Sequence, residues 1–196
     1  MQTGTLSGGF ADPAIQTAQA FRSVMEAMAR PGTIQDIGGT EPPTPLSKAA
    51  GALLLTLCDT ETPIYLAGDT DCTAVRAWLA FHTGAPLTGP SYCMFAVGSW
   101  KALMPLSAYL IGTSEYPDRS ATLIVELSEL AASGAILSGP GIKTNASLSL
   151  PDVQAFQTNR TLFPLGLDFM FTSGSRLAAL PRTTLVSAPS RATEVT

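Results

Sequence analysis

Apolar residues along the chain change period several times, and each change marks an element. Asp12-Pro13 supplies a cap residue followed by a proline at the first helical position. Phe21, Val24, Met25 and Met28 follow at i, i+3, i+4 and i+7, the stripe of an amphipathic helix. Arg30-Pro31-Gly32 stops that helix and puts a cation at the negative end of its dipole. A short strand over 33–37 and a proline-rich turn lead to a second helix, opened by Thr44-Pro45. Residues 46–57 are apolar nearly all round, which predicts burial on most sides. A strand over 64–67 lies between Pro63 and Gly68. A third helix runs from about Cys72 to His82, with Val75, Trp78 and Leu79 inward and Gly84 beyond its end.

In the second half, residues 92–97, 121–127 and 135–138 are β-branched or aromatic runs bounded by Gly, Ser and Pro, the pattern of strands. Pro151-Asp152 opens a last helix to about Phe163. Leu167, Phe169 and Phe171 alternate with Asp168 and Met170, a half-buried strand. Another strand is expected over 180–186, with Pro181 near its start, where a missing N–H is tolerated. Helix and strand alternate without repeats or a long linker. This predicts an α/β fold, a single domain with a mixed β-sheet flanked by helices. It spans 12–187, between a loose arm (1–11) and a polar tail (188–196).

Composition sharpens the picture. The chain has 196 residues, 45% of them hydrophobic, which excludes disorder for its body. Only 13% are charged, about half of the roughly 25% usual in soluble chains. Interface cores are depleted in charged residues, so part of this surface is expected to be covered by other protein. With 11 basic residues scattered singly among 15 acidic ones, nothing suits a nucleic-acid partner. No apolar run approaches the ~18 residues of a membrane span; the longest, 49–57, is interrupted by Gly51 and Thr56. The N-terminus lacks the basic and apolar regions of a secretory signal. Cys58, Cys72 and Cys93 form no C-x-x-C pair and are expected to be reduced thiols of a cytoplasmic protein.

The candidate chemistry is sparse. His82, the only histidine, closes a helix, where an imidazole caps carbonyls and suits the dipole. A triad or metal site would need partners that no motif supplies, and no metal site is expected. Lys48, Lys101 and Lys143 are the only lysines, and none has the apolar context of a Schiff-base amine, so no cofactor is expected. Within GAILSGPGIKT (134–144), Gly139 and Gly141 suit either a tight turn or a nest of amides for an anion. The order of residues departs from a phosphate loop, with Pro140 after Gly139 and Ile142 before Lys143. In GTSEYPDRS (112–120), Glu115 and Asp118 stand beside Tyr116 and Arg119. They suit a loop salt bridge, an acid–base pair, or an interface anchored by Arg119. Asp168 and Arg182 lie in apolar strand sequences, where each charge needs a partner. They are expected to pair, or Arg182 is free for a substrate anion. Cys58 precedes Asp59, whose charge disfavours a thiolate.

Several stretches in this order carry a resemblance: AMARPG at 27–32, TLCDTETP at 56–63, FHTGAP at 81–86, GTSEYPDRSAT at 112–122, LSGPGI at 137–142, FPLGLD at 163–168 and LPRTT at 180–184. Together they are similar to the PhnH family, the H subunits of the bacterial carbon–phosphorus lyase core complex, over about residues 10–186. The resemblance implies a role in phosphonate use beside G, I and J subunits. There ATP and methylphosphonate become alpha-D-ribose 1-methylphosphonate 5-triphosphate, with the I subunit as nucleosidase. The J subunit later breaks the carbon–phosphorus bond by radical chemistry with an iron–sulfur cluster. It further implies a fold similar to pyridoxal phosphate-dependent transferases without their cofactor site, a homodimer when isolated, and no established catalytic residue. If the chain instead bound a phosphonate or nucleotide itself, the Gly139/Gly141 turn with Arg119 and Arg182 would be the candidate contacts.

Overall fold

The computed structural model describes residues 7–189. Helix α1 (Pro13–Ala29) begins where its sequence says it should: the Asp12 carboxylate accepts from the Ile15 N–H at 3.3 Å. Its buried residues are Ala20, Val24 and Ala27, while Phe21 and Met25 are 48% and 53% exposed. The expected stripe is therefore rotated. Alanines let α1 approach α2 (Lys48–Leu57) closely, and the larger side chains are turned outward. Helix α2 starts three residues after the expected Thr44-Pro45, at the Ser47 cap, whose Oγ accepts from Ala50 N–H at 3.1 Å. Residues 49–54 are all buried, as an all-round apolar helix requires. A Cβ on Gly51 would lie 2.7 Å from Pro42, so this glycine permits close packing. Helix α3 (Thr73–His82) buries Val75, Trp78 and Leu79 as predicted. Gly84, at φ +65°, ends it.

Strands β1 (Gln35–Asp36), β2 (Ile64–Leu66), β3 (Phe95–Ser99), β4 (Thr122–Glu126), β7 (Asp168–Ser173) and β8 (Arg176–Leu180) form one mixed sheet in the order β1-β8-β7-β4-β3-β2. The β2, β3, β4 and β7 strands run parallel, and β8 and β1 add antiparallel to that block. Alternation sorts the side chains. Ile64, Val97, Ile124, Met170 and Leu177 face α1–α3, while Leu123, Val125, Phe169, Phe171 and Ala178 face the other layer.

That other layer contains a second sheet that the sequence pattern does not reveal. It is antiparallel, β6 (Ala146–Leu148), β5 (Ala135–Ser138) and β9 (Leu185–Ser187), beside α4 (Val153–Arg160). The expected strand over 180–186 is in fact two. The β8 strand ends at Leu180, a turn follows in which Thr184 N–H donates to the Pro181 carbonyl at 2.9 Å, and β9 joins the other sheet. Helix α4 stops at Arg160 rather than Phe163. The Asp152 carboxylate caps it, accepting from Ala155 N–H at 3.0 Å. Phe156 packs edge-on against Phe169 and Phe171, at 4.9 and 5.7 Å between centroids, and joins α4 to the main sheet.

Of the expected arm, residues 1–6 lie outside the described residues. The Ser7 carbonyl accepts from Trp78 Nε1 at 3.2 Å, and Phe10 packs on the core. Of the expected tail, residues 190–196 lie outside the described residues. No helix among the described residues is long and apolar enough to cross a membrane.

Candidate functional site

Asp168 opens β7 and Arg182 lies just beyond β8, the strand paired with β7, so antiparallel pairing brings the two together. The Arg182 guanidinium holds both carboxylate oxygens, through Nε at 3.2 Å and Nη2 at 2.5 Å, and the Arg182 backbone N–H adds a bond at 2.8 Å. The side chains are only 12% and 18% exposed. Arg182 also donates from Nη1 to the Pro117 carbonyl at 2.7 Å and from Nη2 to Ser120 Oγ. One buried cation thus ties the β7–β8 end to the base of loop 112–120, and its charge is already met by Asp168.

The loop is built on an antiparallel bridge between Ile111 and Ser120. Gly112, at φ +83°, permits the return: a Cβ there would come within 2.6 Å of the Pro117 carbonyl oxygen. Inside, Tyr116 N–H donates to Thr113 Oγ1 at 3.0 Å and Arg119 N–H to the Tyr116 carbonyl at 3.2 Å. The Arg119 guanidinium lies over the Tyr116 ring, 4.1 Å from its centroid. The loop salt bridge expected of Glu115 or Asp118 with Arg119 does not form among the described residues; the exposed guanidinium rests on the aromatic face instead.

Gly139 and Gly141 have φ of +125° and +80°. A Cβ on Gly141 would meet the Ala29 carbonyl oxygen at 1.9 Å, and one on Gly139 the Thr183 carbonyl oxygen at 3.4 Å. The turn therefore faces carbonyl oxygens of α1 and of the 181–184 turn. Gly139 comes near the Arg182 neighbourhood; Gly141 is packed on α1 instead.

His82 sits with its ring 5.0 Å from Trp78 and 4.9 Å from Phe81, and a Cβ on Gly9 would press to 2.6 Å of it. Its Nε2 has no hydrogen-bond partner among the described residues. Lys48 pairs with Glu41, and Lys101 and Lys143 are exposed. Burial pushes the Cys58 thiol up to about 12, with a smaller contribution from Asp59, and that of Cys93 up to about 11. Both are inert thiols. Among the described residues no cluster of three or more His, Cys, Asp or Glu could hold a metal.

Two features escape the sequence pattern. Glu126, at the end of β4, is largely buried and accepts from Ser47 N–H at 2.7 Å and Thr172 Oγ1 at 2.8 Å. Burial raises its pKa, and these bonds only partly oppose the rise. The other is an open cleft of about 630 Å³ between residues 104–111 and α4, lined by Leu106, Tyr109, Ile111, Ala155, Leu162 and Leu167 among others. Several of its polar side chains are engaged within the fold. Asn159 bonds both the carbonyl and the N–H of Leu167 at 2.9 Å, and Asp152 caps α4. Burial drives the Tyr109 phenol well above its ordinary value. No single motif marks the cleft, because its walls are about 50 residues apart in the chain.

The family described as bacterial phosphonate metabolism protein (PhnH) matches residues 8–187, nearly the whole described fold. The chain belongs to the PhnH family. It is 40% identical over 194 residues to the alpha-D-ribose 1-methylphosphonate 5-triphosphate synthase subunit PhnH of Rhizobium meliloti (strain 1021), covering 93% of this chain and 96% of that one. It is 27% identical over 183 residues to the putative C-P lyase subunit protein HtxG of Stutzerimonas stutzeri, covering 86% and 84%. In this PhnH-family chain, the Asp168–Arg182 pair, loop 112–120 and the apolar cleft adjoin one another through Ile111 and Ser120.

Proposed function

We propose that this chain is an accessory subunit of a carbon–phosphorus lyase core assembly. It would work beside G, I and J subunits where ATP and methylphosphonate become alpha-D-ribose 1-methylphosphonate 5-triphosphate. The observation that carries this reading is the surface. An apolar cleft and exposed side chains such as Ile15, Phe21, Met25 and Phe81 give this chain more sticking points than ion-binding ones. The names of its relatives, both called subunits, support the same reading. Arg182, the one sheltered cation considered for a substrate anion, is already paired with Asp168.

The outer face of α1, with Ala14, Ala18, Phe21 and Met25 at spacings of 4, 3 and 4, suits self-association as a homodimer when the chain is alone. Three unpaired cysteines accord with a reducing cytoplasm. The parallel block with helices on both faces accords with a scaffold related to pyridoxal phosphate-dependent transferases.

Reconstitution tests the role. G, I and J subunits are incubated with ATP and methylphosphonate, with and without this chain, and released adenine is measured by chromatography. Omission is expected to cut the rate by roughly tenfold or more, about 1.4 kcal/mol of barrier. An unchanged rate would overturn the reading.

A further inference from the structure

A second, smaller pocket of about 280 Å³ opens where α1 passes the edge strand β1 of the main sheet. One wall is a flank of α1: Gln16, Gln19 and Ser23 stand at i, i+3 and i+7, so they share a face. The other wall is Asp36 at the end of β1 and the Gly38-Gly39 turn after it. The buried side chains Ala20 and Ile37 close the pocket between these walls.

The polar groups here are held in place yet keep unused bonding capacity. Gln16 Oε1 accepts from the Asp12 N–H at 2.8 Å, which fixes the carboxamide. Its Nε2 lies toward Gly39, 2.6 Å from where a Cβ on that glycine would be, and donates to nothing among the described residues. Gly39 has φ +86°, so glycine both permits the turn and leaves this space open. Asp36 Oδ2 accepts from Ser175 Oγ at 2.8 Å, leaving Oδ1 free. The Ser23 hydroxyl, the Gln19 carboxamide and the Gly38 and Gly39 N–H groups also have no bond within the described residues.

This donor set selects a ligand class. No Lys or Arg lines the pocket, and Asp36 repels a second negative charge, so anions are excluded. One carboxylate among neutral carboxamides is too few for a metal ion or a desolvated ammonium group. Mixed donors and acceptors around a small apolar floor match hydroxyl groups, which donate and accept at once, set on a C–H framework. The volume lies just below the ~300–1,000 Å³ of drug-sized sites and suits a single sugar-sized ring. We propose that the pocket between α1 and β1 binds a neutral polyhydroxylated compound of pentose or hexose size. Asp36 Oδ1 accepts from its hydroxyl groups, and Gln16 Nε2 and the glycine N–H groups donate to them.

The test is titration of the isotope-labelled full chain, followed by nuclear magnetic resonance, separately with D-xylose, D-glucose, ethanolamine and inorganic phosphate. Either sugar is expected to shift the Gly38 and Gly39 amides and the Gln16 side-chain amide, with a dissociation constant of about 1–10 mM. Asp36→Asn replaces the free acceptor by a donor and is expected to weaken binding roughly fivefold or more. Ser23→Leu fills the pocket from a half-buried helix position and is expected to abolish the shifts. Met25→Gln, on the outer face of α1, leaves binding unchanged. Circular dichroism confirms that each variant is folded. No shift with either sugar at about 50 mM would overturn the proposal, at a concentration well above that expected constant. So would sugar binding that survives both pocket variants, or stronger shifts with ethanolamine or phosphate, which would assign the pocket to a cation or an anion. The readout is made on this chain alone and does not depend on the accessory-subunit reading.

Discussion

Arg182→Ala removes one side chain and disconnects three parts of the molecule. Wild type gives the Asp168 carboxylate the guanidinium at Nε and Nη2 plus the Arg182 backbone N–H. The variant leaves it with that single N–H, at 18% side-chain exposure. Removing one member of a buried pair costs about 3–5 kcal/mol, because the survivor's charge stays desolvated. The residual exposure here allows some water to reach Asp168, which places the expected loss at the lower end, about 3 kcal/mol. The Pro117 carbonyl and Ser120 Oγ lose their donor as well, so loop 112–120 loses its anchor. Urea unfolding followed by far-ultraviolet circular dichroism measures the first effect. Amide hydrogen exchange at Thr113 and Arg119, whose N–H groups bond within the loop, measures the second. Asp168→Asn combined with Arg182→Met removes both charges and is expected to lose less than the two single changes summed, by about 1 kcal/mol or more. A loss below about 1 kcal/mol for Arg182→Ala, with loop exchange unchanged, would refute the reasoning.

Glu126→Gln keeps an acceptor for Ser47 N–H and removes a titration. Because burial raises the folded pKa above its ordinary 4.5, native Glu126 keeps its proton where the unfolded chain has lost it. Its contribution to stability falls as pH rises above about 4.5. The variant should therefore flatten that part of a stability–pH profile measured by denaturant unfolding, and an unchanged slope would contradict the burial assigned to it. Iodoacetamide is expected to modify Cys72 first in the native protein, with Cys58 and Cys93 reacting only after unfolding, read by intact mass. Gly141→Ala is expected to cost about 2 kcal/mol or more, since its φ is +80° and the new Cβ would strike the Ala29 carbonyl. Gly174→Ala, at φ +60° with open space around it, should cost only about 1 kcal/mol; equal losses would mean that the packing of the glycine turn on α1 is unimportant.

Local signals were legible wherever a short stretch carries its own cause. Asp12-Pro13 starts α1, and the β-branched run at 122–126 makes a strand, because capping and strand propensity act over a few residues. The β8 strand, RLAAL, was not legible. It has little strand propensity and is a strand because β7 supplies its partner through the turn at Gly174. Thr183 to Val186 look more strand-like, yet Pro181 interrupts the pairing and the chain changes sheet. The same limit applies to the candidate site. Asp168 and Arg182 could be matched from sequence, since each is a charge in an apolar setting that demands a partner. The cleft could not, because Ile111 and Leu162 meet only through the packing of α4 on the main sheet. Nor could the outward turn of Phe21 and Met25, which depends on alanines of α1 fitting against α2.

Native mass spectrometry of this chain co-expressed with G, I and J subunits, after washing at high salt, tests the central claim most directly. Apolar burial resists salt, whereas exposed ion pairs are screened. The account predicts that the chain remains at a fixed stoichiometry in the assembly. Recovery of the chain alone, converting ATP and methylphosphonate without the other subunits, would contradict it.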